Sequence, residues 1–246
     1  MPTGTIDAIL SVVPILEVEK VEKIYEGGRG GVPALRGVSF QVEAGDFVSV
    51  MGPSGCGKSS LLHLIGGMDR PTRGRVLLGG VPLNKLSEEE LTALRRKKIG
   101  FVFQSFNLLP TLTVSENVEL PLMLAGAGER LASERARSLL ERVGLKARAE
   151  HFPAELSGGE MQRAAVARAL VASPEIVLAD EPTGNLDSEN GEQVIKLLSD
   201  LNNELGVTII LATHSEEAAL HTRRTVRMRD GLIERIIEHE GVLQTL

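Results

Sequence analysis

GPSGCGKS, residues 52–59, follows the apolar run DFVSVM (46–51) and leads into SSLLHLIGGM (59–68). The order is a buried strand, a glycine-rich loop and a helix that Gly66 and Gly67 end. The loop fits G-x-x-x-x-G-K-[ST] at Gly52, Gly57, Lys58 and Ser59. Glycines let a backbone wrap phosphate oxygens without side-chain clashes. A helix starting near Lys58 points about half a positive charge at the same spot. Lys58 is expected to reach the β- and γ-phosphates of a nucleoside triphosphate, and the Ser59 hydroxyl to bind Mg2+.

Outward from this loop, ILEVEKVEKIY (15–25) and ALRGVSFQVEAG (34–45) read as strands separated by a loop at Gly27, Gly28, Gly30 and Gly31. RVLLGGVPL (75–83) reads as a strand pair. Ser87 and Glu90 form a capping box for a helix through Lys97, followed by the strand IGFVFQ (99–104). Residues 106–173 carry helical spacing with charged outer faces, and Pro174 closes the block. EIVLAD (175–180), SENGEQVIKLLSDLNNELG (188–206), VTIILAT (207–213) and SEEAALH (215–221) alternate strand and helix. A hairpin on Asp230-Gly231 ends the pattern. Alternation of this kind predicts an α/β core with a mostly parallel sheet.

Composition narrows the function classes. The 246 residues carry a net charge of −6, and the run Arg95-Arg96-Lys97-Lys98 is too short to make a basic field, so no nucleic acid is expected as partner. The single cysteine, Cys56, excludes an intramolecular disulfide and a cysteine-cluster zinc site. No apolar run approaches the roughly 20 residues that span a bilayer. The N-terminal segment lacks a basic start and is interrupted by Asp7, which makes a poor signal peptide. The expected location is cytoplasmic, with any membrane connection through a partner.

Two further stretches carry chemistry. In EIVLADEP (175–182), Asp180 stands at the carboxyl end of a strand, where open α/β sheets place ligands. It is suited to holding Mg2+, and the adjacent Glu181 to polarising an attacking water. LSGGEMQR (156–163) puts a serine and two glycines at a helix N-terminus, a second anion-binding arrangement in the same chain.

The phosphate loop, LSGGE, the acidic strand and His214 in LATHS (211–215), in that order, resemble the nucleotide-binding subunit of ABC transporters over about residues 15–237. The resemblance implies a P-loop NTPase (RecA-like) core, an N-terminal antiparallel β subdomain and an inserted α-helical signature subdomain. Residues 1–14 would be an extension, 15–105 and 174–246 the core with its β subdomain, and 106–173 the helical part. Carried over, Tyr25 matches the aromatic that stacks on adenine; alone at a strand end it would read as packing. Gly52, Pro53, Ser54, Gly55, Cys56, Gly57, Lys58, Ser59 and Ser60 match the ATP-binding loop, and Leu156, Ser157, Gly158, Gly159 and Glu160 the signature. Ser59, Gln104 and Asp180 match the Mg2+ positions, and Lys58, Glu181 and His214 the catalytic ones. Asn185, Leu186 and Asp187 match the loop that crosses a dimer interface.

ADEPTGNLDS (179–188), IGFVFQSFNLLPTLTVSENVELPL (99–122) and HFPAELSGGE (151–160) resemble the lipoprotein-releasing, macrolide-export and cell-division group. Cys56 departs from the commoner serine, and its thiol is expected to make the ATPase sensitive to oxidation. Glu160-Met161 stand for a glutamine pair and Ser215 for a frequent aspartate. The resemblance implies an ATP hydrolase in which two subunits clasp two MgATP head to tail. Ser157 and Gly159 of one would face the phosphate held by Lys58 of the other, and a membrane permease would grip the stretch Ser105–Leu122. The competing reading is a soluble ABC ATPase acting on ribosomes or DNA. Such proteins usually carry two cassettes or a long coiled-coil insert, and neither occurs in this sequence.

Overall fold

The computed structural model describes residues 14–27 and 31–239. The expected N-terminal extension, Pro14 apart, and Gly28 and Gly30 of the expected loop lie outside them. The chain runs β1 (Leu16–Tyr25), β2 (Val32–Val42), β3 (Phe47–Met51), α1 (Lys58–Ile65), β4 (Arg73–Leu78), β5 (Val81–Pro82), α2 (Glu88–Lys98) and β6 (Ile99–Phe103). It continues through α3 (Val114–Leu124), α4 (Glu129–Arg142), α5 (Gly158–Leu170), β7 (Ile176–Asp180), α6 (Ser188–Leu205), β8 (Thr208–Thr213), α7 (Glu216–Leu220), β9 (Arg224–Arg229) and β10 (Leu232–Glu238).

Local chemistry sets the ends of these elements. Ser87 caps α2 and Glu90 closes the box, as the sequence predicts. Asp230 and Gly231 both take positive φ, 49° and 79°, the backbone a tight hairpin between twisted strands requires.

One sheet has four antiparallel strands in the order β2-β1-β4-β5. The other has six, ordered β10-β9-β3-β8-β7-β6, and only β10 runs antiparallel to its neighbour. The parallel strands are buried on both faces, which is why they read as continuous apolar runs. Their side chains still alternate. Val177, Ala179, Ile209 and Leu211 pack with Val118, Leu140, Val166 and Leu198 from α3–α6. Ile176, Leu178, Ile210 and Ala212 pack with Leu61 and Ile65 of α1 and with Leu16, Val38 and Val76 of the smaller sheet. The result is an α/β core with two separate apolar layers, the arrangement that the resemblance to a P-loop NTPase implies. The helices α3, α4 and α5 are spliced between β6 and β7, which are nevertheless hydrogen-bonded neighbours. The carboxyl ends of β3, β6, β7 and β8 therefore open on one rim.

Candidate functional site

The phosphate loop turns on that rim with a backbone only glycine allows at two points. Gly57 has φ 105°, and a Cβ there would lie 2.5 Å from the Ala34 carbonyl. A Cβ on Gly52 would lie 2.2 Å from the Met228 carbonyl. The loop thus presses against both sheets. Lys58 is buried, and its ammonium donates to the carbonyls of Gly52 at 2.9 Å and Pro53 at 3.3 Å. The Ser59 hydroxyl donates to Asp180 Oδ1 at 2.9 Å.

Asp180 ends β7, and burial pushes its carboxyl above the ordinary range against the opposing pull of the Ser59 hydrogen bond. Glu181 follows with φ 47°, a left-handed backbone that ordinary side chains rarely adopt. Its N–H donates to the Ala212 carbonyl of β8 at 3.0 Å, so the neighbouring strand holds the turn. Its carboxylate lies 3.2 Å from the Lys58 ammonium through Oε1 and 2.7 Å from His214 Nδ1 through Oε2. Gln104, one residue past β6, exchanges two hydrogen bonds of 3.1 Å with Asn185. Lys58, Ser59, Asp180, Glu181 and His214 form one contiguous cluster drawn from three segments.

The LSGGE segment stands elsewhere. Ser157 caps α5, accepting from the Glu160 N–H, while Glu160 accepts from the Ser157 N–H at 2.9 Å. Ser157 is exposed and Leu156 is buried beneath it. Gly159 lies tight against α6, where a Cβ would lie 2.4 Å from the Asn190 side-chain oxygen and force that side chain to move. Asp187 caps α6, and Asn185 and Leu186 lie beside Gly158. Among the described residues, no hydrogen bond or ion pair joins 156–160 to 52–60. Tyr25 is partly exposed at the end of β1, its hydroxyl 3.3 Å from Ser60 and one ring face covered by Lys23 at 4.9 Å.

A family model described as ABC transporter matches residues 35–184. This chain belongs to that family. It is an ABC transporter ATP-binding subunit and an ATP hydrolase. An ABC transporter ATP-binding protein of Thermotoga maritima is 50% identical over 229 residues, covering 93% of this chain and 97% of its own. The macrolide export ATP-binding/permease protein MacB of Syntrophobacter fumaroxidans is 48% identical over 222 residues, which are 89% of this chain but 31% of that protein. The structure of the cassette MJ0796, described as dimeric in a post-hydrolysis state with ADP and Pi, superposes with a TM-score of 0.85 at 43% identity, covering 92% of this chain and 99% of the other.

Two features of this ABC ATPase differ from or add to the sequence reading. Cys56 points into the core below the loop, 4% exposed, and burial pushes its thiol up. A shielded thiol with a raised pKa is a poor nucleophile, which speaks against the expected oxidation sensitivity. The second feature escaped the sequence. Arg168 of α5 donates to the carbonyls of Phe106, at 2.8 Å, and Asn107. It thereby holds two residues with left-handed φ, 60° and 52°, just past Gln104. A lone arginine on a helix gives no sign that its target is a backbone. Among the described residues no helix is long and apolar enough to cross a membrane.

Proposed function

We propose that two copies of this chain close head to tail around two MgATP and drive a separate membrane permease of the lipoprotein-release, macrolide- or peptide-export, or mechanotransmission kind. The observation that carries the reading is that the two anion-binding halves are both built but apart. Lys58, Ser59, Asp180 and Glu181 gather on one rim, while the Ser157 end of α5 faces outward beside Asn185–Asp187. A second copy, related by a two-fold axis, supplies what each half lacks. The dimeric state named for the similar cassette supports this arrangement.

In this reading ATP lies with its base on the Tyr25 ring and its phosphates on the backbone N–H groups of the loop from Ser54 to Ser60. The Lys58 ammonium exchanges the Gly52 and Pro53 carbonyls and the Glu181 carboxylate for phosphate oxygens. Glu181, released from Lys58 but still held by His214, then orients and polarises the attacking water. Ser59, Asp180 and Gln104 would hold Mg2+ alongside the bound nucleotide. The donors fit: Ser59 and Asp180 offer hard oxygens 2.9 Å apart, and a cation would offset the desolvation that raises the half-buried Asp180 carboxyl. Gln104 completes the set. When bound, the ion neutralises phosphate charge and polarises the transferred group.

ATP favours the closed dimer because it touches both copies, whereas ADP touches chiefly one; that difference drives the switch. The stretch Ser105–Leu122, with Leu109 exposed, is the grip for a permease helix at the inner face of the cell membrane. The membrane partner selects the cargo.

The decisive variant is Glu181→Gln. It should bind ATP, hydrolyse it about a thousandfold more slowly, and elute as a nucleotide-bound dimer in size-exclusion chromatography. An active, monomeric variant would overturn the reading.

A further inference from the structure

Gln162 lies on α5 one turn past the Ser157 cap and is fully buried. Both N–H bonds of its side-chain amide are used. One goes to the Phe103 carbonyl at 3.2 Å and the other to the Pro182 carbonyl at 2.7 Å. Phe103 immediately precedes Gln104, and Pro182 immediately follows Glu181. Phe103 is also the partner of Asp180 in the last rung of the β6–β7 ladder. Beyond that rung the two strands part, and the Gln162 amide bridges them where backbone pairing stops.

The amide oxygen, in contrast, is buried without a hydrogen-bond partner. An orphan acceptor is an unfavourable way to fill a core, where an apolar side chain of equal volume would avoid the desolvation cost. The donors, not the volume, are what this position supplies. They are also well braced. Gly100 of β6 leaves so little room that a Cβ would lie 2.2 Å from the Ala169 carbonyl of α5, so helix and strand are in close contact. Arg168 fastens the same helix to the carbonyls of Phe106 and Asn107.

We infer that Gln162 is a positioning residue for ATP hydrolysis, tying the signature helix to the two loops that aim Glu181 and Gln104. The inference rests on the proposed roles of those two residues. Its consequence follows from the geometry. Ser157 and Gln162 lie on one helix about 7.5 Å apart along its axis, so a displacement of the capped end by a second copy's nucleotide is delivered to this copy's own Glu181 turn. That turn is held in a left-handed conformation at φ 47° and depends on its anchors to stay there. The amide is thus a link between the two ATP sites of a dimer.

The test is Gln162→Met in the full chain, which keeps the volume and removes both donors. Expected are a kcat about 10- to 100-fold lower, a KM for ATP within about twofold, a fluorescent ATP analogue bound as by the parent, and a Hill coefficient falling toward one. Gln162→His, which keeps a single ring N–H, should lie between Met and the parent, and it carries the test if the Met variant does not fold. In a Glu181→Gln background the same change should lower the residual rate by no more than about twofold, because the group being aimed is already disabled. A Gln162→Met enzyme with the parent's kcat and Hill coefficient would overturn the inference while Glu181→Gln remains inactive. A loss of kcat matched by weakened nucleotide binding, or a full further loss in the Glu181→Gln background, would also overturn it and mark Gln162 as structural only. A fully active Glu181→Gln would overturn both this inference and the proposed function beneath it.

Discussion

At the scale of single residues, Asp180 shows how a site can be built against stability. Its carboxyl is half-buried at the end of β7, and desolvation raises it above the ordinary range despite the Ser59 hydrogen bond. A carboxyl raised in the folded state binds its proton more tightly there than in the unfolded chain. Its stabilising contribution is therefore fully present below the unfolded value and is lost as pH rises through the raised one. As pH rises, the nucleotide-free protein therefore bears a growing cost for the charged form. Asp180→Asn keeps the acceptor for Ser59 and removes the charge, so it should raise the melting temperature at pH 7 and leave it unchanged at pH 3, while Mg2+-dependent hydrolysis is lost. Thermal melts at the two pH values, with Mg2+ titration of activity, check this. Tyr25, Lys58 and Asp180 could each be nominated from sequence. That Lys58 lies 3.2 Å from Glu181, and that Cys56 turns into the core, could not.

At the scale of elements, the N-termini of α5 and α3 make a matched pair. Ser157 with Glu160 and Thr113 with Glu116 form the same capping box, so each hydroxyl satisfies an N–H that the helix leaves open. Ser157→Ala and Thr113→Ala should each cost about 1 kcal/mol in denaturant unfolding. Only Ser157→Ala should also reduce ATP hydrolysis by about tenfold or more, because only that cap faces the proposed second nucleotide. Equal losses of activity in the two variants would reduce Ser157 to a cap. The capping boxes, the Asp230-Gly231 hairpin and the glycine loop were legible because each is a short contiguous pattern whose chemistry is local. The clamp of α5 on β6 was not. It depends on Gln162 and Arg168 reaching carbonyls about 60 residues away, and carbonyls carry no signature in a sequence.

At the scale of the whole molecule, the proposed sharing of each ATP site between two chains implies that activity depends on encounter. Specific ATPase activity should rise with protein concentration and level off once the dimer is populated, which a dilution series at saturating ATP measures. A flat profile over a concentration range in which sedimentation shows only monomer would contradict the proposed clamp. By itself the sequence determined the kind of chemistry and the kind of sheet. Phosphate binding needs a contiguous loop before a helix, and buried parallel strands need contiguous apolar runs, so both are written locally. The tertiary structure alone decided the working constellation. The order β3-β8-β7-β6 brings the ends of four separated segments to one rim, where Lys58, Asp180, Glu181 and His214 meet. The same packing leaves Ser157 exposed at the start of α5, with no hydrogen bond to its own phosphate loop among the described residues. Distance between segments is set by how two apolar layers close on a sheet, and no stretch of sequence contains that distance.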